Sequence, residues 1–150
     1  TIWRHPVQRL AGSKMSRVEM KLSRVVINEI GESQAVYLKE VDGERVLPIA
    51  IGFFEATSIT RRVREITSPR PLAHDLVIGV VEDLGGELQD VVITHLKDST
   101  YFADLRVRIG SDLVQIDSRP SDAIAVAVSC DPPLPIYVEQ EVLDKALNEL

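Results

Sequence analysis

A single cysteine, Cys130, stands among 150 residues. It has no internal disulfide partner, and one thiolate does not build a zinc site. The three histidines, His5, His74 and His95, do not restore a classical zinc ribbon or finger. Aromatics make up 5% of the chain, which leaves few rings for a broad base-stacking sheet, and Phe53 and Phe54 are expected in the core. No apolar run approaches the ~20 residues of a membrane helix, and a reducing cytoplasmic setting is the expectation. The Walker loop, the dinucleotide-binding glycine fingerprint, HExxH and GxSxG are all missing. What remains is an ordinary globular composition, 45% hydrophobic and 27% charged, in a length that suits one domain.

The net charge of −6 is unevenly spread. Residues 1–24 hold six basic residues and one acid, whereas residues 25–150 hold 11 basic and 22 acidic residues. Avid, sequence-indifferent binding to duplex nucleic acid needs many phosphate-neutralising cations, so it is disfavoured. A compact site with a few arginines is not. Residues 1–16 read as a loose, basic, flexible extension in which Met15 is a candidate start, as is Met20 beyond it.

From Val18 the apolar residues alternate as in a strand. Strands are expected over Gln34–Val41 and Glu44–Ile51, with Asp42-Gly43 as a tight type I′ turn between them. Pro48 belongs where no ladder donor is needed. Ala56, Ile59, Val63 and Ile66 then mark one helix face, with Arg61, Arg62 and Arg64 opposite, read mainly as a solvated face. A second helix fits Ala73–Leu84, with Leu76, Val77, Val80, Val81 and Leu84 as its apolar stripe. Strands follow over Glu87–Leu96, Tyr101–Ile109 and Leu113–Asp117. Ser118 is the expected N-cap of a third helix, with Pro120 in its first turn. A short strand, Ile136–Val138, precedes a last helix with Val142, Ala146 and Leu150 on one face. The expected fold is α+β, antiparallel sheets with about four helices, in a single compact domain over residues 17–150.

Two junctions are unusually polar for their positions: Arg70-Pro71-Leu72-Ala73-His74-Asp75 and Asp117-Ser118-Arg119-Pro120-Ser121-Asp122. Each opens a helix. Carboxylates there suit the helix dipole and cap free N–H groups, yet the same places suit an anion. Glu55, early in the first helix, poses the same choice.

These segments carry a family likeness. Leu47-Pro48-Ile49-Ala50-Ile51-Gly52, Glu55-Ala56, the Arg70–Leu76 block and Asp117-Ser118-Arg119-Pro120-Ser121-Asp122-Ala123-Ile124-Ala125 resemble, in order, the bifunctional nuclease (DNase/RNase) domain family. The resemblance runs from about Val18 to about Leu147. Ala73 departs from the threonine usual before His-Asp, and Ala50 stands where bulkier residues are common. The resemblance implies a homo-oligomer, most simply a dimer, and hydrolysis of phosphodiesters in both DNA and RNA, with single strands as the expected substrates. On this view His74 is the general acid/base, with Asp75 and Asp122 beside it as catalytic carboxylates. Arg70, Arg119 and Ser121 would hold phosphate. Glu55 and Asp117 are candidates for a divalent cation such as Mg²⁺. The alternative is a non-enzymatic regulatory or interaction domain, with Ala123, Ala127 and Val126–Val128 as a small-residue subunit interface.

Overall fold

The computed structural model describes residues 16–28, 30, 31 and 33–148. The basic extension expected over residues 1–16 lies outside them except for Ser16, whose carbonyl accepts from the Gln140 N–H at 2.9 Å. Leu150 lies outside them too. The chain order is β1 (Arg17–Ile27), β2 (Gln34–Glu40), β3 (Val46–Ile51), α1 (Phe53–Val63), α2 (Ala73–Asp83), β4 (Glu87–Lys97), β5 (Thr100–Ile109), β6 (Asp112–Ser118), α3 (Pro120–Ser129), β7 (Ile136–Glu139) and α4 (Gln140–Asn148).

Period-two patterning gives two three-stranded antiparallel meanders, β1 to β3 and β4 to β6. β7 joins them into one seven-stranded sheet of order β3-β2-β1-β7-β4-β5-β6. It runs antiparallel to β1 and parallel to β4, so the sheet is mixed rather than wholly antiparallel. Only four residues long, β7 is accepted in the middle because Ile136, Val138 and Glu139 are all buried. Pro48 falls on β3, an edge strand, where one side of the ladder needs no donor. The β2–β3 hairpin forms, but its connection is Val41–Arg45 rather than a two-residue turn, closed by Glu40 N–H to the Arg45 carbonyl. Gly43 is not among the positive-φ residues, so the type I′ expectation fails.

Val36, Leu38, Leu47, Ile49, Val91, Ile93, Ala103, Leu105, Ile136 and Val138 form one apolar layer. Ile59 of α1, nearly all of α3, and Val142, Leu143 and Ala146 of α4 complete the same core. α3 is the central helix. Ala123, Val126 and Ala127 are 1%, 3% and 0% exposed, so the small-residue face expected at a subunit interface is used inside the chain. Small side chains let α1 and α2 lie close against it.

The structure departs from the expected burial at three places and from the expected cap at a fourth. α1 ends at Val63, and Glu65 turns the backbone at φ +56°, so Val63 and Ile66 leave the core at 58% and 50% exposed. α2 buries none of its residues fully, and of its expected core stripe Leu76, Val77, Val80 and Leu84 face outward while Val81 keeps its place against the core. Ile78 and Val81 are the α2 residues packed on the core. Phe53 and Phe54 are 52% and 83% exposed, an edge-to-face pair with centroids 5.9 Å apart rather than core residues. Finally, Arg119 rather than Ser118 is the N-cap of α3, and the Ser118 hydroxyl lies against the Arg119 carbonyl.

Candidate active site

The first turns of α1, α2 and α3 meet at one place, and each carries a carboxylate: Glu55, Asp75 and Asp122. A helix N-terminus presents free N–H groups and a partial positive charge, so acids are favoured there individually. Their convergence is a tertiary property. It comes from α1 and α2 both packing on α3.

A continuous chain of polar contacts links the three ends. The Ser58 hydroxyl lies 3.1 Å from His74 Nδ1, and His74 Nε2 lies 3.1 Å from Asp122 Oδ1. Arg119 donates from Nε to Asp122 Oδ2 at 2.9 Å, and its Nη2 lies 2.8 Å from the same oxygen. Its Nη2 also donates to Glu55 Oε1 at 2.7 Å. An ionised carboxylate only accepts, so the neutral His74 ring carries its proton on Nε2 and turns the Nδ1 lone pair toward Ser58. Bonding to Asp122 first, then Asp122's charge and the Glu55 bond, hold the Arg119 guanidinium even more firmly charged than usual. The His74 side chain is 15% exposed and that of Arg119 66%, so the chain of contacts runs from a sheltered base to an open cation.

Gly52 allows this arrangement. Glu55 folds back over the start of its own helix, and a β-carbon at residue 52 would collide with its carboxylate.

Beside His74 lies a cavity of about 330 Å³, lined by Ser58, Arg61, Arg62, Arg70, His74 and Asp75 among others. Arg61 Nε is buried without a hydrogen-bond partner among the described residues. Arg62 donates from Nη2 to the Ser129 carbonyl at 3.0 Å. Arg61, half-buried, and Arg62, exposed, line this cavity, and Arg64 is exposed outside it, so the expected solvated face holds for Arg62 and Arg64 but not fully for Arg61. A second cavity of about 350 Å³ flanks Arg119 and Ser121, with Gly52 and Tyr101 in its wall. A third, larger cavity, about 740 Å³, is lined by Met20, Lys21, Cys130 and Leu134 among others and does not include His74.

The expected site residues thus divide. His74, Asp122, Arg119 and Glu55 are bonded to one another, and Arg70 shares a cavity with His74. Ser121 is 7% exposed beside Arg119. Asp75 serves its own helix, its Oδ2 accepting the Leu72 N–H at 2.9 Å. Asp117 is not brought to the cluster: it stands opposite Asp104 in the β5–β6 register, on the face turned away from the buried Ala103 and Leu105. Among the described residues no three His, Cys, Asp or Glu side chains come together as a metal cage. Glu55 and Asp122 are balanced by Arg119 instead, so the donor set does not fit a protein-held divalent ion. Ser58 was not singled out from sequence, and Arg61 was placed with Arg62 and Arg64 on a face read mainly as solvated. Their signal was the spacing of Glu55, Ser58, Arg61 and Arg62, which puts polar groups on one side of α1.

The profile of the bifunctional nuclease domain matches residues 36–150. A Mycobacterium tuberculosis protein named only as uncharacterized is 35% identical over 128 residues, 85% of this chain and 75% of that protein. Bifunctional nuclease 2 of Arabidopsis thaliana is 33% identical over 106 residues, 68% of this chain and 32% of that protein. Bifunctional nuclease 2 of Oryza sativa subsp. japonica is 29% identical over 115 residues, 74% of this chain and 35% of that protein. The chain spans about a third of the length of these plant relatives.

Proposed function

The chain belongs to the bifunctional nuclease domain family, and from that premise we propose that it hydrolyses phosphodiester bonds in single-stranded DNA and RNA. The observation that carries this reading is the Ser58–His74–Asp122–Arg119–Glu55 chain of contacts opening on an arginine-lined cavity. His74 moves the proton from Nδ1, with Asp122 fixing the ring at Nε2. Arg70, with Arg61 and Arg62 beside it, receives the phosphoryl oxygens, and these cations stabilise the charge that grows on them during displacement. Arg119 and Ser121 meet the strand on the far side of Asp122. None of these groups needs a 2′-hydroxyl, which supports tolerance of both sugars. The exposed rings of Phe53 and Phe54, next in sequence to Glu55, offer a stacking surface to unpaired bases.

No step is routed through a divalent ion, because the expected ligands Glu55 and Asp117 do not assemble. The cytoplasm is the setting in this proposal. Among the described residues no helix is long and apolar enough to cross a membrane.

The proposal includes a homodimer through α2. Leu76, Val77, Val80 and Leu84 form an outward apolar face, and Gly79 has open space around it, which lets a second helix approach closely. Light scattering should return twice the 16.7 kDa chain mass, and the single-chain mass would overturn this part.

The test of the activity compares wild type with His74→Ala on labelled single-stranded DNA and RNA, with Mg²⁺ and with EDTA. His74→Ala should lose about 10²- to 10⁴-fold in rate while its circular dichroism is unchanged. Equal cleavage by both proteins removes His74 from the mechanism. No cleavage by either turns the reading toward the regulatory domain, and loss in EDTA alone restores a metal to the chemistry.

A further inference from the structure

We propose that Ser58 is the nucleophile, so that cleavage passes through a covalent phosphoseryl intermediate; this rests on the nuclease reading above. Three observations carry it. The first is what the hydroxyl does. Thr57 and Ser129 direct their hydroxyls at backbone carbonyls four residues earlier, Phe53 at 2.9 Å and Ala125 at 2.7 Å, as helical hydroxyls commonly do. Ser58 does not; among the described residues its one partner is His74 Nδ1 at 3.1 Å.

The second is the tautomer. Asp122 at Nε2 leaves Nδ1 as the basic nitrogen, and that nitrogen faces Ser58 Oγ. Nucleophile, base and orienting carboxylate stand in sequence, the relation that activates a serine on unrelated folds. Arg119 bonds the other Asp122 oxygen and keeps the carboxylate from swinging away.

The third is the setting. Ser58 and His74 both line the cavity that holds Arg61, Arg62 and Arg70. Arg61 Nε and the Arg70 side chain have no hydrogen-bond partner among the described residues, so cations stand ready for an anion beside the hydroxyl.

The chemistry balances in two displacements. Ser58 Oγ attacks phosphorus as His74 Nδ1 takes its proton, and the phosphorus bond to the leaving sugar oxygen breaks. That oxygen receives the proton from Nδ1. Water then gives a proton to Nδ1 and attacks the same phosphorus, and Ser58 Oγ leaves and is reprotonated by the imidazole. The net reaction is hydrolysis, with no other reactant.

The experiment uses the whole wild-type chain and an oligonucleotide with one phosphorothioate linkage of a single configuration, opened in H₂¹⁸O. Two displacements give retention at phosphorus; direct attack by water gives inversion. Retention is expected, and Ser58→Ala should lower kcat by about 10³-fold or more with KM little changed. Inversion by an active wild type, or a folded Ser58→Ala that keeps its rate, overturns the role of Ser58 and leaves the nuclease reading standing. No cleavage by wild type overturns both. The stereochemical result needs no variant, so it decides the matter even where Ser58→Ala fails to fold.

Discussion

Asp90 and Arg106 meet across β4 and β5 through two hydrogen bonds of 2.5 Å, whereas Asp122 and Arg119 meet within one helix start at 2.8 and 2.9 Å. The residue types are the same and the surroundings are opposite. The first pair is closed: the guanidinium answers both oxygens of a single carboxylate, and the side chains are 12% and 17% exposed. The second is shared. Arg119 divides itself between Asp122 and Glu55, and Asp122 divides itself between Arg119 and His74. A closed pair holds two strands in register, with both carboxylate oxygens answered by one partner. A shared pair passes orientation along to an imidazole and leaves a cation open to the outside, which is what a reacting site needs.

That contrast is open to attack by substitution. The largest effect is expected for Asp122→Asn. An amide at that place no longer dictates the ring tautomer, and cleavage should fall by about 10²- to 10⁴-fold while stability changes by less than about 1 kcal/mol. Rates and urea unfolding of the same preparation check this together. A large loss of stability would make Asp122 a structural residue like Asp90. Arg106→Ala should do the reverse, leaving Asp90 buried and unpaired at a cost of about 3 kcal/mol, with the rate per folded molecule unchanged. A rate that falls with stability intact would erase the distinction.

The smallest effect sharpens the sheet side. Burial first, and then the facing charge of Asp117, raise the Asp104 carboxyl above its ordinary value. The folded protein therefore holds that proton more tightly than the unfolded chain does. The resulting stabilisation is complete below the ordinary carboxylate range and is lost as pH rises through the raised folded value. Asp104→Asn should raise the thermal midpoint slightly at pH 7 and lose that advantage below about pH 4. A midpoint lowered at pH 7 would show that nearby His95, Arg17 and Arg106, which act in the opposite sense, outweigh the burial.

The strands were legible because a period of two survives any packing arrangement, and β4 to β6 fall within a residue or two of where alternation and polar turns put them. Helix positions were legible for the same reason. What periodicity does not encode is whether an apolar face is covered: the α2 stripe reads as core, yet all of it but Val81 faces outward. Phe53 and Phe54 were misread on the same ground. At the site, Glu55, His74, Arg119 and Asp122 stood out as charges at helix starts. Their joining into one chain of contacts depends on three helix ends meeting, and no local pattern records that. Asp75, in the same kind of position, caps Leu72 instead. Ser58 lay inside a helix among other polar residues, and Arg61 stood in an arginine run whose commoner role is a solvated face.

The four residues of β7 set an order on synthesis. They follow α3 in the chain yet separate β1 from β4 in the sheet. Until residues 136–139 leave the ribosome, the nascent protein holds two meanders, each with an open inner edge ready to pair with any other strand it meets. The helix-borne residues of the site, 55 to 122, are all made before that seam closes, so the framework beneath them is sealed only after they are in place.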